Sequence, residues 1–217
     1  METMSLSQMM RVSIAMPILL VLSVLVAGQA LERFYVFWVV QKLPEDLFNR
    51  VRLYVKNADK GAALSLCGKN AGVMSHAFVR ILSLPYWSTE KVVECFQLYR
   101  QKMHMDLSRR LGLFGTVSFI APLIGLMGTV LGIMRAFHDL ASAGAGGPAV
   151  VAAGISEALV ATAAGIGLAV MSAVFYNYFT ITVRSRMSTV DLWIFELAQT
   201  LEELQAKASD GDALRQI

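Results

Sequence analysis

Hydrophobic positions along this chain follow two kinds of pattern. Three stretches are almost continuously apolar, Val12 to Leu31, Leu111 to Met134 and about Val150 to Val183. Each is long enough to cross a bilayer as a helix, which takes roughly 20 residues. Elsewhere apolar residues return at steps of three or four. Leu47, Val51, Tyr54 and Ala58 form one such stripe, Val92, Phe96, Tyr99, Met103 and Leu107 a second, and Val190, Trp193, Leu197, Leu201 and Leu204 a third. This spacing marks helices with one apolar face. The expected fold is an all-α integral membrane protein with three transmembrane helices and long helical extensions outside the bilayer.

The boundaries follow from the same pattern. Residues 12–40 are read as the first span, 108–138 as the second and 149–183 as the third. Residues 1–11 form a short N-terminal segment, 41–107 a helical segment, 139–148 a turn and 184–217 a helical tail. After the first apolar run come Glu32 and Arg33 and then Phe34, Tyr35, Phe37 and Trp38, an aromatic cluster suited to a headgroup interface. Pro85 breaks the chain before Ser88, a good N-cap. No Gly or Pro separates Leu107 from the second span, so one long helix is expected to run from the second stripe through the membrane. The tail is expected to extend the third span and pack on the other helices.

Basic residues orient the spans, because loops rich in Lys and Arg stay in the cytoplasm. Twelve of the 19 fall between Gln41 and Arg110, and four, Arg184, Arg186, Lys207 and Arg215, in the tail. Before the first span there is only Arg11, and between the second and third only Arg135. The N-terminus and the 139–148 turn are therefore expected on the periplasmic side, the 41–107 segment and the tail in the cytoplasm. Reading residues 1–30 as a cleaved leader ending at Gly28-Gln29-Ala30 would put the basic segment outside, against this asymmetry.

Composition agrees with a membrane chain. Of 217 residues 56% are hydrophobic and 16% charged, against about a quarter charged in soluble domains. A net charge of +3 gives no strongly basic face for nucleic acid. Cys67 and Cys95 form no disulfide or zinc pattern, and His76, His104 and His138 have no metal-ligand spacing. Gly68-Lys69 lacks the glycine spacing of a phosphate loop. Neither enzyme chemistry nor a cofactor is indicated.

Two spans carry small residues along one side. Ser118, Pro122, Gly125, Thr129, Gly132 and Ala136 step by three or four, as do Gly154, Ala158, Ala161, Gly165, Ala169 and Ser172. Such faces let helix backbones approach closely in lipid, and tight packing alone would account for the glycines and alanines. Polar residues within the spans ask for more. Glu157, ionised at mid-bilayer and facing lipid, would cost on the order of 2.5 kcal/mol or more, so it should face protein or a watery cavity. Glu157 and Thr129 are equally far from the turn near Ala143, and Thr162 lies five residues deeper than Glu157. Antiparallel packing would put hydroxyls and a carboxyl near one level, where they could relay protons.

The run Ala121-Pro122-Leu123-Ile124-Gly125-Leu126-Met127-Gly128-Thr129-Val130-Leu131-Gly132-Ile133-Met134, followed by Gly154-Ile155-Ser156-Glu157-Ala158-Leu159-Val160-Ala161-Thr162-Ala163-Ala164-Gly165, resembles the signature of the MotA/TolQ/ExbB proton-channel family, in its ExbB and TolQ branch. The resemblance implies a homopentamer in the bacterial inner membrane, with the second and third spans around a central pore and the first span outside. It implies a dimer of a single-span ExbD- or TolR-like partner within that pore, each copy carrying a proton-binding aspartate. It also implies a TonB- or TolA-like protein that receives the work of an ion-driven rotary motor. Thr129 and Thr162 match the family's pore threonines, Glu157 its intramembrane glutamate and Pro122 its span-two proline. The small-residue faces would then offer the inner helices a smooth wall. Family members often have a longer periplasmic N-terminal extension than the eleven residues read here. Two other classes compete: a passive membrane scaffold anchoring partner proteins, and a secondary transporter, for which no internal repeat is found.

Overall fold

A computed structural model describes residues 15–40, 43–70, 72–143 and 148–214. These residues form helices α1 (Ala15–Tyr35), continued by a π-helical turn (Val36–Val40), α2 (Glu45–Lys56), α3 (Lys60–Lys69), α4 (Val73–Leu82), α5 (Thr89–Ser108), α6 (Gly112–Ala143) and α7 (Pro148–Leu214). No strand occurs among them. Three segments, Ala15–Trp38, Gly112–Ser142 and Val151–Ala208, contain windows long and apolar enough to cross a membrane. The helices gather into two compact units, one made of 1–41 and 110–180, the other of 42–109 and 181–217. The expected N-terminal segment 1–11 lies outside the described residues.

In the first unit α1 buries Val26, Ala30 and Arg33 and the π-helical turn after it buries Phe37, positions stepping by three or four along one face. The aromatic cluster divides by the same periodicity. Phe34 and Phe37 turn inward onto Phe179, with ring centroids 5.1 and 5.5 Å away, and Phe114 reaches the same ring at 5.7 Å. Tyr35 and Trp38 stay exposed. Only this second pair has the placement expected of an interfacial belt.

The second unit is a helical bundle around one apolar core. Phe48, Val51, Phe78, Ile81, Val92 and Phe96 of α2, α4 and α5 meet Val190, Ile194, Leu197 and Leu201 of α7, and Trp193 stacks on Phe48 at 4.9 Å. The tail thus packs on the other helices, as its stripe requires. Polar groups finish the helix ends. Ser88 accepts from the Lys91 N–H as the N-cap of α5, while Glu202 accepts from both the N–H and the hydroxyl of Thr89. Gln205 accepts from the Trp87 N–H. Arg100 holds Asp191 through two bonds of 2.7 and 2.9 Å.

Four expectations need correction. The second stripe and the second span do not form one helix: α5 ends at Ser108, α6 begins at Gly112, and Arg110 between them takes a left-handed φ of 61°. A left-handed residue ends a right-handed helix, so the helix that carries the second apolar stretch starts at Gly112. The expected turn 139–148 is mostly helix, since α6 continues to Ala143 and α7 starts at Pro148. Ala58 leaves the first stripe; it sits exposed after α2 with φ 56°. The segment 41–107 also holds two helices, α3 and α4, that the stripes do not mark.

Candidate functional site

The two small-residue faces meet each other. A Cβ added to Gly125 would lie 3.0 Å from the Ala161 carbonyl oxygen and from the Thr162 Cα, and one added to Gly165 would lie 2.6 Å from the Ala121 carbonyl oxygen. Gly132 faces Ala158 and Gly154 faces Ala136 with the same closeness. At Gly125 and Gly165 the atoms in the way belong to the facing backbone, whereas at Gly132 and Gly154 they are the Cβ atoms of Ala158 and Ala136. Ala121 completes this face although it lies outside the expected stripe. Ser118 is half-buried and its hydroxyl donates to the Gly115 carbonyl at 2.8 Å. Pro122 is half-buried inside α6 without ending it. At Gly125, Gly132, Gly154 and Gly165 the smooth-wall expectation is therefore not met, because the facing helix of the same chain fills the space.

The contacts fix an antiparallel register. Gly132 meets Ala158 and Gly125 meets Ala161, so Thr129 lies within about one helical turn of both Glu157 and Thr162 along the axes. The Thr162 hydroxyl crosses between helices and donates to the Gly125 carbonyl at 2.9 Å. The Thr129 hydroxyl donates to the Leu126 carbonyl at 2.7 Å, and Thr129 is 9% exposed. Both hydroxyl protons are thus committed to backbone carbonyls. What remains on each oxygen is acceptor capacity. Such a pair favours a donor, such as a protonated carboxylic acid, over a carboxylate that can only accept.

Glu157 stands apart from the threonines in direction. It is half-buried, and it makes no hydrogen bond or ion pair among the described residues. Five residues separate it from Thr162, about 140° around a helix of 3.6 residues per turn. Eighteen residues, about five full turns, separate it from Phe175. The ring of Phe175 contacts Phe34 of α1, so Glu157 shares the face of α7 that α1 covers further along. Thr162 points to a different flank. One level along the axes therefore does not mean one cluster.

Three charged residues beside the start of α6 escape a reading by stripes. The Arg110 Nη1 donates to both Glu32 oxygens at 3.0 and 3.1 Å, tying α1 to the residues that precede α6. Arg33 is 3% exposed, gives Glu32 one bond of 3.3 Å, and leaves Nε and Nη1 without a partner. The signal was present as Glu32-Arg33 and Arg109-Arg110 at the span ends, though their pairing requires knowing which helices adjoin. Among the described residues no group of three or more His, Cys, Asp or Glu could hold a metal.

The family described as the MotA/TolQ/ExbB proton channel family matches residues 73–191, which include α5, all of α6 and the part of α7 that carries Glu157 and Thr162. The chain belongs to this family. Within it, a Synechocystis sp. protein named ExbB-like 3 is 33% identical over 169 residues, covering 76% of this chain and 80% of that one. The Tol-Pal system protein TolQ of Haemophilus influenzae is 42% identical over 80 residues, 37% of this chain and 35% of its own length. Relatives carrying both names place the chain in the ExbB/TolQ branch. A chain of the flagellar MotAB stator complex from Bacillus subtilis shares the fold, with TM-score 0.65, 16% identity and coverage of 87% of this chain and 78% of that one. Membership in a proton-channel family joins the apolar helices in marking a membrane protein.

Proposed function

We propose that the chain is the channel subunit of a motor in the bacterial inner membrane driven by the proton motive force. Five copies would surround a dimer of a single-span ExbD- or TolR-like partner, and the motion would be passed to a TonB- or TolA-like protein. Its N-terminus would be periplasmic, with residues 42–109 and the tail in the cytoplasm, as the distribution of Lys and Arg requires.

The observation that carries this reading is the state of the two threonine hydroxyls. Thr129 and Thr162 donate their hydroxyl hydrogen bonds to backbone carbonyls and lie on a stretch of α6 and α7 where other polar groups are sparse. A carboxylate entering this stretch would be desolvated at a cost of several kcal/mol, while the neutral acid can donate to a threonine oxygen. An aspartate on an inner partner helix would therefore pass the threonines protonated and release its proton where water returns. Thr162 also lies on a flank of α7 away from the face that meets Phe34, which agrees with a peripheral first span and an inner threonine. Glu157 lies on the other flank. There it would shape access to the site or bond a neighbouring helix, and it would not form part of a single relay with Thr162.

The experiment compares Thr162→Ser with Thr162→Val in vesicles containing the chain and its single-span partner. Serine keeps the oxygen, so proton flux should stay within about twofold of the parent. Valine removes it, and flux should fall at least tenfold while the assembly remains intact by size. Equal flux in the two variants would remove Thr162 from the pathway. Intact assembly with no flux in the parent would favour a passive scaffold.

A further inference from the structure

Helix α5 carries two features of complementary shape on different flanks. On one side, α5 and α7 enclose an open groove of about 980 Å³. Its floor is Phe96 and Ile194, and Val93, Leu192 and Phe195 rise along its sides, with Leu192 69% exposed. The Arg100–Asp191 ion pair stands at the groove. About a third of a turn around the same helix lies a ridge. Leu98 and Met105, seven residues apart and therefore on one face, are 73% and 59% exposed. Exposed Glu94 shares that face and exposed Lys102 stands beside it.

We infer that the groove between α5 and α7 seats the Leu98–Met105 ridge of a second copy of this chain. The ridge presents two large apolar side chains at heptad spacing, the pattern by which one helix packs along a groove between two others. The charges are compatible: the Arg100–Asp191 pair gives the groove edge a base and an acid joined to each other, and the ridge is flanked by one acid and one base, Glu94 and Lys102, so no net charge opposes the contact. Because groove and ridge sit on different flanks of one helix, the contact is heterologous. Each copy gives its ridge to one neighbour and its groove to the other, and repetition closes a ring if the rotation per copy allows. The inference rests on the proposed ring of like subunits and names the surface by which residues outside the membrane would hold it.

Disulfide cross-linking in native membranes tests it, on the full-length chain with Cys67→Ala and Cys95→Ser as background. Leu98→Cys and Leu192→Cys replace exposed side chains, so neither disturbs the core. Mild oxidation should join a chain bearing only Leu98→Cys to a chain bearing only Leu192→Cys, at least tenfold more than either joins to itself. A chain carrying both should give a ladder of dimers and larger products. The mass of the complex in mild detergent is measured in parallel. If the chain is multimeric and the mixed pair fails to join, the inference is overturned while the proposed ring stands. Self-joining by Leu192→Cys alone would indicate a two-fold contact and overturn it as well. Capture of the groove cysteine by a different protein would show that a foreign partner fills the groove, and a monomeric chain would overturn inference and ring together.

Discussion

Gly165 and Gly167 lie two residues apart on α7 and carry different loads. A methyl group at Gly165 would be driven to 2.6 Å from the Ala121 carbonyl oxygen, a backbone atom that moves only if the helices separate, whereas at Gly167 it meets nothing within 4 Å. Gly165→Ala should cost about 1–3 kcal/mol through overpacking. Gly167→Ala should be neutral or gain up to about 1 kcal/mol from helix propensity. Thermal melts in one detergent decide this, and equal midpoints for the two variants would disprove the backbone contact. That the glycines and alanines pack tightly was readable from their spacing. What they pack against was not, since a stripe of small residues has the same appearance whether it meets a helix of its own chain or a rotating partner. The direction of Glu157 was hidden for a related reason: depth is counted along the sequence, while facing depends on which flank the first helix covers.

Helices outside the spans were legible where an apolar stripe was long. The stripes at 92–107 and 190–204 correspond to α5 and to the end of α7, and Ser88 caps as its position suggests. Helices α3 and α4 are ten residues each, too short for a repeating face to stand out. The break at Arg110 has no Gly or Pro to announce it. Its left-handed backbone is held where the Arg110 side chain reaches Glu32, a contact between residues 78 apart. Packing of α3 into the core has a chemical consequence at Cys67, which is 1% exposed and whose thiol is pushed up to about 11 by burial. The folded state holds this proton more tightly than the unfolded chain, so the contribution to stability is full below about pH 9 and is lost as pH rises toward 11. Cys67 should resist alkylation at pH 8 until denaturant is added, and Cys67→Ala should flatten the alkaline loss of stability. Rapid labelling of the folded chain would contradict the burial.

As a whole, the molecule divides its polar chemistry between two settings. Helices α2 to α5 with the end of α7 form a bundle closed by ion pairs and caps. Helices α6 and α7 instead carry Thr129 and Thr162, whose hydroxyls donate hydrogen bonds to the Leu126 and Gly125 carbonyls. In the proposed channel a second chain would bring the titrating acid, and these threonine oxygens would accept its hydrogen bond. The most direct measurement is proton flux into vesicles containing this chain, alone and with a single-span partner bearing an aspartate in its span. Flux is expected only when both chains are present, with loss when that aspartate is made asparagine or when Thr162 is made valine. Flux from this chain alone, unchanged by either substitution, would contradict it.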